Sequence, residues 1–293
     1  MRHISVFLST LVAFGFLSLI PIAAQAEPTE IVVRVLGNDS KFIGTSIGGM
    51  RVTLRDAQTG EILATGLTQG ATGDTRRIMH EDGGRRAQLS DDSAAKFVAT
   101  IDLDEPRLIE VEAYGPLAQA QAATRVTASR WVVPGRGLTA GDGWVLDLPG
   151  LIVDVLAPPA HMRLPADTGK VDLRANILMC GCPIEPEGLW DANNLEVKAL
   201  VSRNGERIGP VDLSFAGETS QFAGSVPVDA PGLYDVSVYA YDRTNGIPAS
   251  TAPPSSSTSR NRAACGGLVS DTLNDQIGCP LVKPLPTLVV RRM

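Results

Sequence analysis

Two of the four cysteines in this chain stand one residue apart, in Ile177-Leu178-Met179-Cys180-Gly181-Cys182-Pro183. A strand over Val171–Cys180 would put Val171, Leu173, Ala175, Ile177 and Met179 on one face by period-2 alternation. Cys180 and Cys182 then lie on the other side at the strand end, with Gly181 free to bend between them. Thiols at i and i+2 that converge on one side can chelate a soft ion such as Cu(I), and thioethers suit the same ion. Met179 adjoins the pair, and His161-Met162 supplies a further imidazole and thioether. The same pair could instead form a strained, redox-active disulfide that exchanges with a partner. In the structural reading, Cys265 and Cys279 bond to each other and close a loop of about 15 residues, a gain of about 3 kcal/mol. Bridges from Cys180 or Cys182 to either late cysteine are equally permitted, since four cysteines allow three connectivities.

The segment that follows the pair, MCGCPIEPEGLWDANN (179–194), concentrates two thiols, Trp190, Glu185, Glu187 and Asp191 in one irregular stretch. Loops on rigid scaffolds are where binding tends to sit, so this loop is the expected interaction surface. Trp131 and Trp144 fall in strand-like runs and are expected in a core, whereas Trp190 is expected to be exposed. Aromatic residues make up 5% of the chain, too sparse for a site that binds sugars by stacking.

Other chemistry finds little support. Beyond His3, only His80 and His161 are present, which argues against a multi-histidine site. Glu81, Asp82, Asp91 and Asp92 have no EF-hand spacing and read as a solvated acidic loop. No G-x-S-x-G is present, and Gly70–Thr75 lacks the Lys-Ser/Thr of a phosphate loop. No catalytic residues and no resident cofactor are therefore expected, with copper as the alternative.

These residues need elements to hold them. Residues 1–26 run from a basic start through an apolar stretch to Pro21 and Ala24-Gln25-Ala26, the order of a secretory signal peptide cleaved before Glu27. Export to the periplasm or beyond makes disulfides reasonable, and no later run is apolar enough to span a bilayer. Arg2 is the one charged residue removed, so the formal net charge goes from −6 to −7. That balance disfavours nucleic acid and anionic membranes as partners.

Alternation of apolar and polar residues dominates the rest. Strands are expected at 31–36, 50–55, 61–67, 96–103, 108–114, 125–133 and 144–148, with a Gly-, Asp- and Arg-rich loop at 69–92. Pro149-Gly150 reads as a joint between separate folding units. Beyond it, strands are expected at 151–156, 171–180, 195–203, 210–215, 221–226 and 233–241. Residues 244–284 read as an irregular insertion, and 286–291 as a last strand. The fold class is all-β, with two tandem β-sandwiches at 27–149 and 150–293.

GGMRVTLRDAQTGEILATGLTQGATGDT (48–75), after the strand EIVVRVLG, resembles the repeat unit of transthyretin-like and carboxypeptidase-regulatory-like domains. KFVATIDLDEPRLIEVEAYGP (96–116) is similar to the later strand pair of that family. The resemblance implies a non-catalytic module that packs against partners. DAPGLYDVSVYAYD (229–242) resembles the penultimate strand of bacterial immunoglobulin-like domains, with Tyr234 placed like a tyrosine corner; the inter-sheet disulfide and buried tryptophan of that family are not matched. Together these readings give an exported accessory protein of the cell envelope, working on a protein partner through loop 179–194. Its alternatives are a periplasmic Cu(I) handler and a thiol–disulfide redox partner.

Overall fold

A computed structural model describes residues 25–81, 83–84, 86–165, 167–251 and 287–290, the last four by their backbone. Cys265, Cys279, most of the expected signal segment and Asp82 lie outside the described residues.

The first half supplies seven strands: β1 (Glu27–Gly37), β2 (Arg51–Asp56), β3 (Ile62–Leu67), β4 (Phe97–Leu103), β5 (Arg107–Gly115), β6 (Thr124–Val132) and β7 (Trp144–Leu148). They form two sheets, ordered β4-β1-β7 and β3-β2-β5-β6. β2 shows why the sequence folds so: Val52, Leu54 and Asp56 are buried and alternate with less buried neighbours. Asp56 is tolerable inside because its carboxylate accepts from the amides of Gln58 and Thr59, closing the turn to β3. Ile31, Val33, Val52, Leu54, Ile109, Val111 and Trp144 fill the space between the sheets. The loop between β3 and β4 carries a five-residue helix, α1 (Thr75–Met79), capped by the Asp74 carboxylate.

The second half supplies β8 (Leu151–Ala157), β9 (Met162–Arg163), β10 (Gly169–Met179), β11 (Leu195–Arg203), β12 (Glu206–Asp212), β13 (Ser214–Phe215), β14 (Gln221–Val228), β15 (Leu233–Asp242), β16 (Pro248–Ser250) and β17 (Thr287–Val290). One sheet runs β13-β14-β10-β8; the other runs β12-β11-β15-β17-β9, with β16 also on β15. Sheets therefore change hands between Leu148 and Leu151, and the fold is all-β sandwich. Among the described residues no helix is long and apolar enough to cross a membrane.

Near the end of the chain one strand departs from expectation and another meets it. The expected insertion begins with order, because β16 pairs antiparallel with Tyr239–Tyr241. The expected last strand is found as β17, parallel to β15 from Leu233 to Val236.

Tyr234 lies wholly buried at the start of β15. Its hydroxyl donates to the Ala230 carbonyl at 2.9 Å, four residues upstream, as a tyrosine corner does. Removing that hydroxyl strands a part-buried carbonyl, so Tyr234→Phe should cost about 1–2 kcal/mol in chemical denaturation, with an unchanged m-value.

Candidate functional site

The cysteine pair does not end a strand with both thiols on one side. Cys182 donates its amide to the Met179 carbonyl at 2.9 Å, and the Met179 amide donates back to the Cys182 carbonyl at 3.1 Å. Cys180 and Gly181 have φ of 47° and 86°, so Met179–Cys182 is a two-residue hairpin turn with both central residues left-handed. Gly181 adopts that conformation freely; Cys180 does so at a cost of about 1–2 kcal/mol.

The two cysteine side chains belong to different cores. Cys180 is fully buried in the core of the first sandwich, whereas Cys182 belongs to the core of the second. Cys180 comes so close to β1 that a Cβ on Gly37 would sit 2.1 Å from its Sγ, which makes glycine the residue that fits there. The backbone is tied down as well: the Cys180 amide donates to Gly150 O at 2.8 Å, and Ser40 Oγ donates to Met179 O at 3.3 Å.

Both thiols are free and favour the protonated form. Burial pushes the Cys180 thiol up to about 12, against a weaker lowering by the Ser40 hydrogen bond. Burial also raises Cys182, and the nearby Lys41 ammonium only partly offsets it. Neither is a ready thiolate for metal or exchange chemistry. His161 is exposed beyond the far end of β8. Because Met179 pairs with Leu151 at the near end, six strand residues of about 3.3 Å each separate them. Met162 sits in β9 at that same far end. Met179 is fully buried in the second core. His161 and Met162 are thus not brought to the cysteine turn.

The rest of loop 179–194 is half joint and half surface. Trp190 is only 8% exposed, a correction to its expected exposure, and its indole N–H donates to the Asp39 carbonyl at 2.8 Å. Trp131, expected in a core, is 61% exposed on β6, an edge strand; Trp144 is buried as expected. Ile184 and Ala192 are buried, while Glu185 to Leu189 face outward. This outward rim is fixed by its own bonds. The Gly188 and Ala192 amides both donate to Glu185 O, at 3.2 and 3.0 Å. Thr219 Oγ1 donates to Glu185 Oε1 at 2.7 Å, and the Asp191 carboxylate accepts from the amides of Glu187 and Asn193. Those amide bonds hold the Asp191 carboxyl below its ordinary range. Leu189 stands 50% exposed at the end of the rim.

Several partners of this joint escaped the sequence reading. Asp39, at φ 54°, offers its carboxylate to the Asn245 amide. Gln121 bonds both backbone groups of Val155 at 3.1 Å and also reaches the Asp154 carboxylate, so a side-chain amide from the first half acts as a neighbour for edge strand β8. In the acidic loop, the Asp91 carboxylate is occupied locally by Ser93 and the Ala94 amide, as a turn cap.

No family model and no curated protein matches the chain. Among solved structures, a DUF3823 family protein from Parabacteroides merdae shares 10% identity at a TM-score of 0.23, covering 78% of this chain and 97% of that one. The fimbrial anchor protein Mfa2 from Porphyromonas gingivalis shares 10% at 0.22, covering 75% and 80%. A cytokine receptor complex shares 12% at 0.21, covering 75% and 99%.

Two outcomes follow from the turn. Gly37→Ala should cost about 1–3 kcal/mol by driving Cys180 out of its pocket, read as a lower denaturation midpoint. The folded chain keeps the Cys180 proton to about pH 12, whereas an unfolded thiol loses it near 9. Stability from this group is therefore complete below pH 9 and falls above it, by on the order of 1 kcal/mol per pH unit. Cys180→Ala should flatten that alkaline slope in denaturant titrations at pH 8–11; an unchanged slope would contradict the burial.

Proposed function

We propose that this chain is an exported, non-catalytic accessory protein of the cell envelope that binds a protein partner as an adaptor. The observation that carries the reading is the preformed rim Glu185–Leu189, built on a loop whose other half is buried in the joint. A surface already fixed in its bound shape loses little conformational freedom on binding. The rim offers Glu185 and Glu187 beside the exposed Leu189. Its complement is a partner surface with an apolar hollow flanked by lysine or arginine.

The experiment is site-specific photo-crosslinking with a benzophenone side chain at position 189 in the exporting cell. A discrete adduct of one added mass is expected, and Glu187→Lys should reduce it by about fivefold or more. A benzophenone at the exposed position 208 on β12 should give no such band. Equal, diffuse labelling from both positions would sink the adaptor reading.

A further inference from the structure

An edge strand offers a row of backbone donors and acceptors to any strand that reaches it, and most edges of this molecule are blunted. β12 carries Pro210, and its ladder to β11 shifts register. The ladder from β2 to β3 shifts as well. Gln121 caps β8 through both backbone groups of Val155, and β9 and β13 are two residues each. β6 has none of these devices. At nine residues it is the longest edge strand among the described residues, it contains no proline, and it pairs with β5 from Thr124 to Val132 without a shift. Among the described residues no hydrogen bond reaches the backbone groups on its other side.

The side chains make this edge complementary to itself. Arg125, Thr127, Ser129 and Trp131 are exposed on its outer face, while Val126, Ala128 and Val132 turn toward the core. A twofold axis joining two antiparallel copies of β6 must bring like faces together. Only the axis through Ala128 then pairs all nine residues. That register sets Thr124 against Val132, Arg125 against Trp131, Val126 against Arg130 and Thr127 against Ser129, each twice. No arginine meets an arginine, and hydroxyls face hydroxyls at mid-strand. Arg125 keeps its bond to Glu112 at 2.9 Å, and Arg130 stays over the Trp144 ring at 5.4 Å. The pairing therefore needs no new bond from either guanidinium.

We propose that β6 is a homodimerisation edge, where two copies of this chain pair antiparallel about an axis at Ala128. Their two four-stranded sheets then become one of eight strands. The ladder supplies affinity by pairing backbone groups, and Trp131, 61% exposed in the single chain, gains cover from the neighbouring strand. Thr–Ser and aromatic cross-strand pairs add to such a ladder. One strand pair is a small interface, so the dimer is weak, with a dissociation constant of about 10–100 μM. Loop 179–194 contributes nothing to this edge, so the dimer stands or falls independently of the adaptor reading.

The test is sedimentation velocity of the mature full chain from about 1 to about 300 μM. A reversible monomer–dimer equilibrium is expected. Trp131→Arg sets arginine against Arg125 twice and should weaken the dimer by about tenfold or more. Thr127→Glu/Ser129→Glu and, separately, Thr127→Lys/Ser129→Lys should each leave monomers, and their equimolar mixture should restore a dimer. All three positions are exposed, circular dichroism checks folding, and the mixture decides if Trp131→Arg does not fold. A chain that stays monomeric across the range would overturn the proposal. So would a dimer that Trp131→Arg leaves intact, or charged variants whose mixture stays monomeric.

Discussion

The burial of the Cys180 side chain in the core of the opposite sandwich is the contact on which the architecture turns. A left-handed cysteine costs free energy locally, and the cost is offset only because its sulfur fills space between β1 and the first core. Side chains cross the boundary in both directions. Ile152 sits in the first core and Leu178 packs against it, while Met79 of α1 packs against the second. The buried Ile152 contributes about 2 kcal/mol, and the partly buried Leu178 and Met79 less. The polar ties from Trp190 and Gln121 then fix the angle at which the halves meet, so the joint is a packed interface and not a linker.

That constraint redistributes function. The residues whose types most invite chemistry, two thiols and a tryptophan, are consumed by holding the halves together. A thiol pushed up to about 12 by burial behaves as a small hydrophobe. What the joint leaves accessible is the rim Glu185–Leu189 that it anchors.

The strands were largely legible, because alternation reports which face is buried whatever lies across the sheet. Trp144–Leu148 and Leu195–Arg203 stand where alternation put them. Alternation cannot say what covers a face, and the errors lie there. Trp131 alternates like a core residue but faces out from edge strand β6. Trp190 sits in a polar loop yet is buried, because the turn Asn38-Asp39, some 150 residues earlier, supplies its partner. β16 was missed because three residues without apolar periodicity pair only by virtue of the strand beside them. The C-G-C turn misled for a local reason: two left-handed residues reverse the chain, so i and i+2 no longer share a side.

The central claim is that the buried Cys180 turn makes two sandwiches unfold as one body. Differential scanning calorimetry of the mature chain tests it most directly, through the ratio of calorimetric to van't Hoff enthalpy. Coupling through the joint predicts a single transition with a ratio near one for the native chain, moving toward two in Gly37→Ala, where the turn is displaced. Two resolved transitions in the native chain, or a ratio near two unaffected by Gly37→Ala, would contradict it.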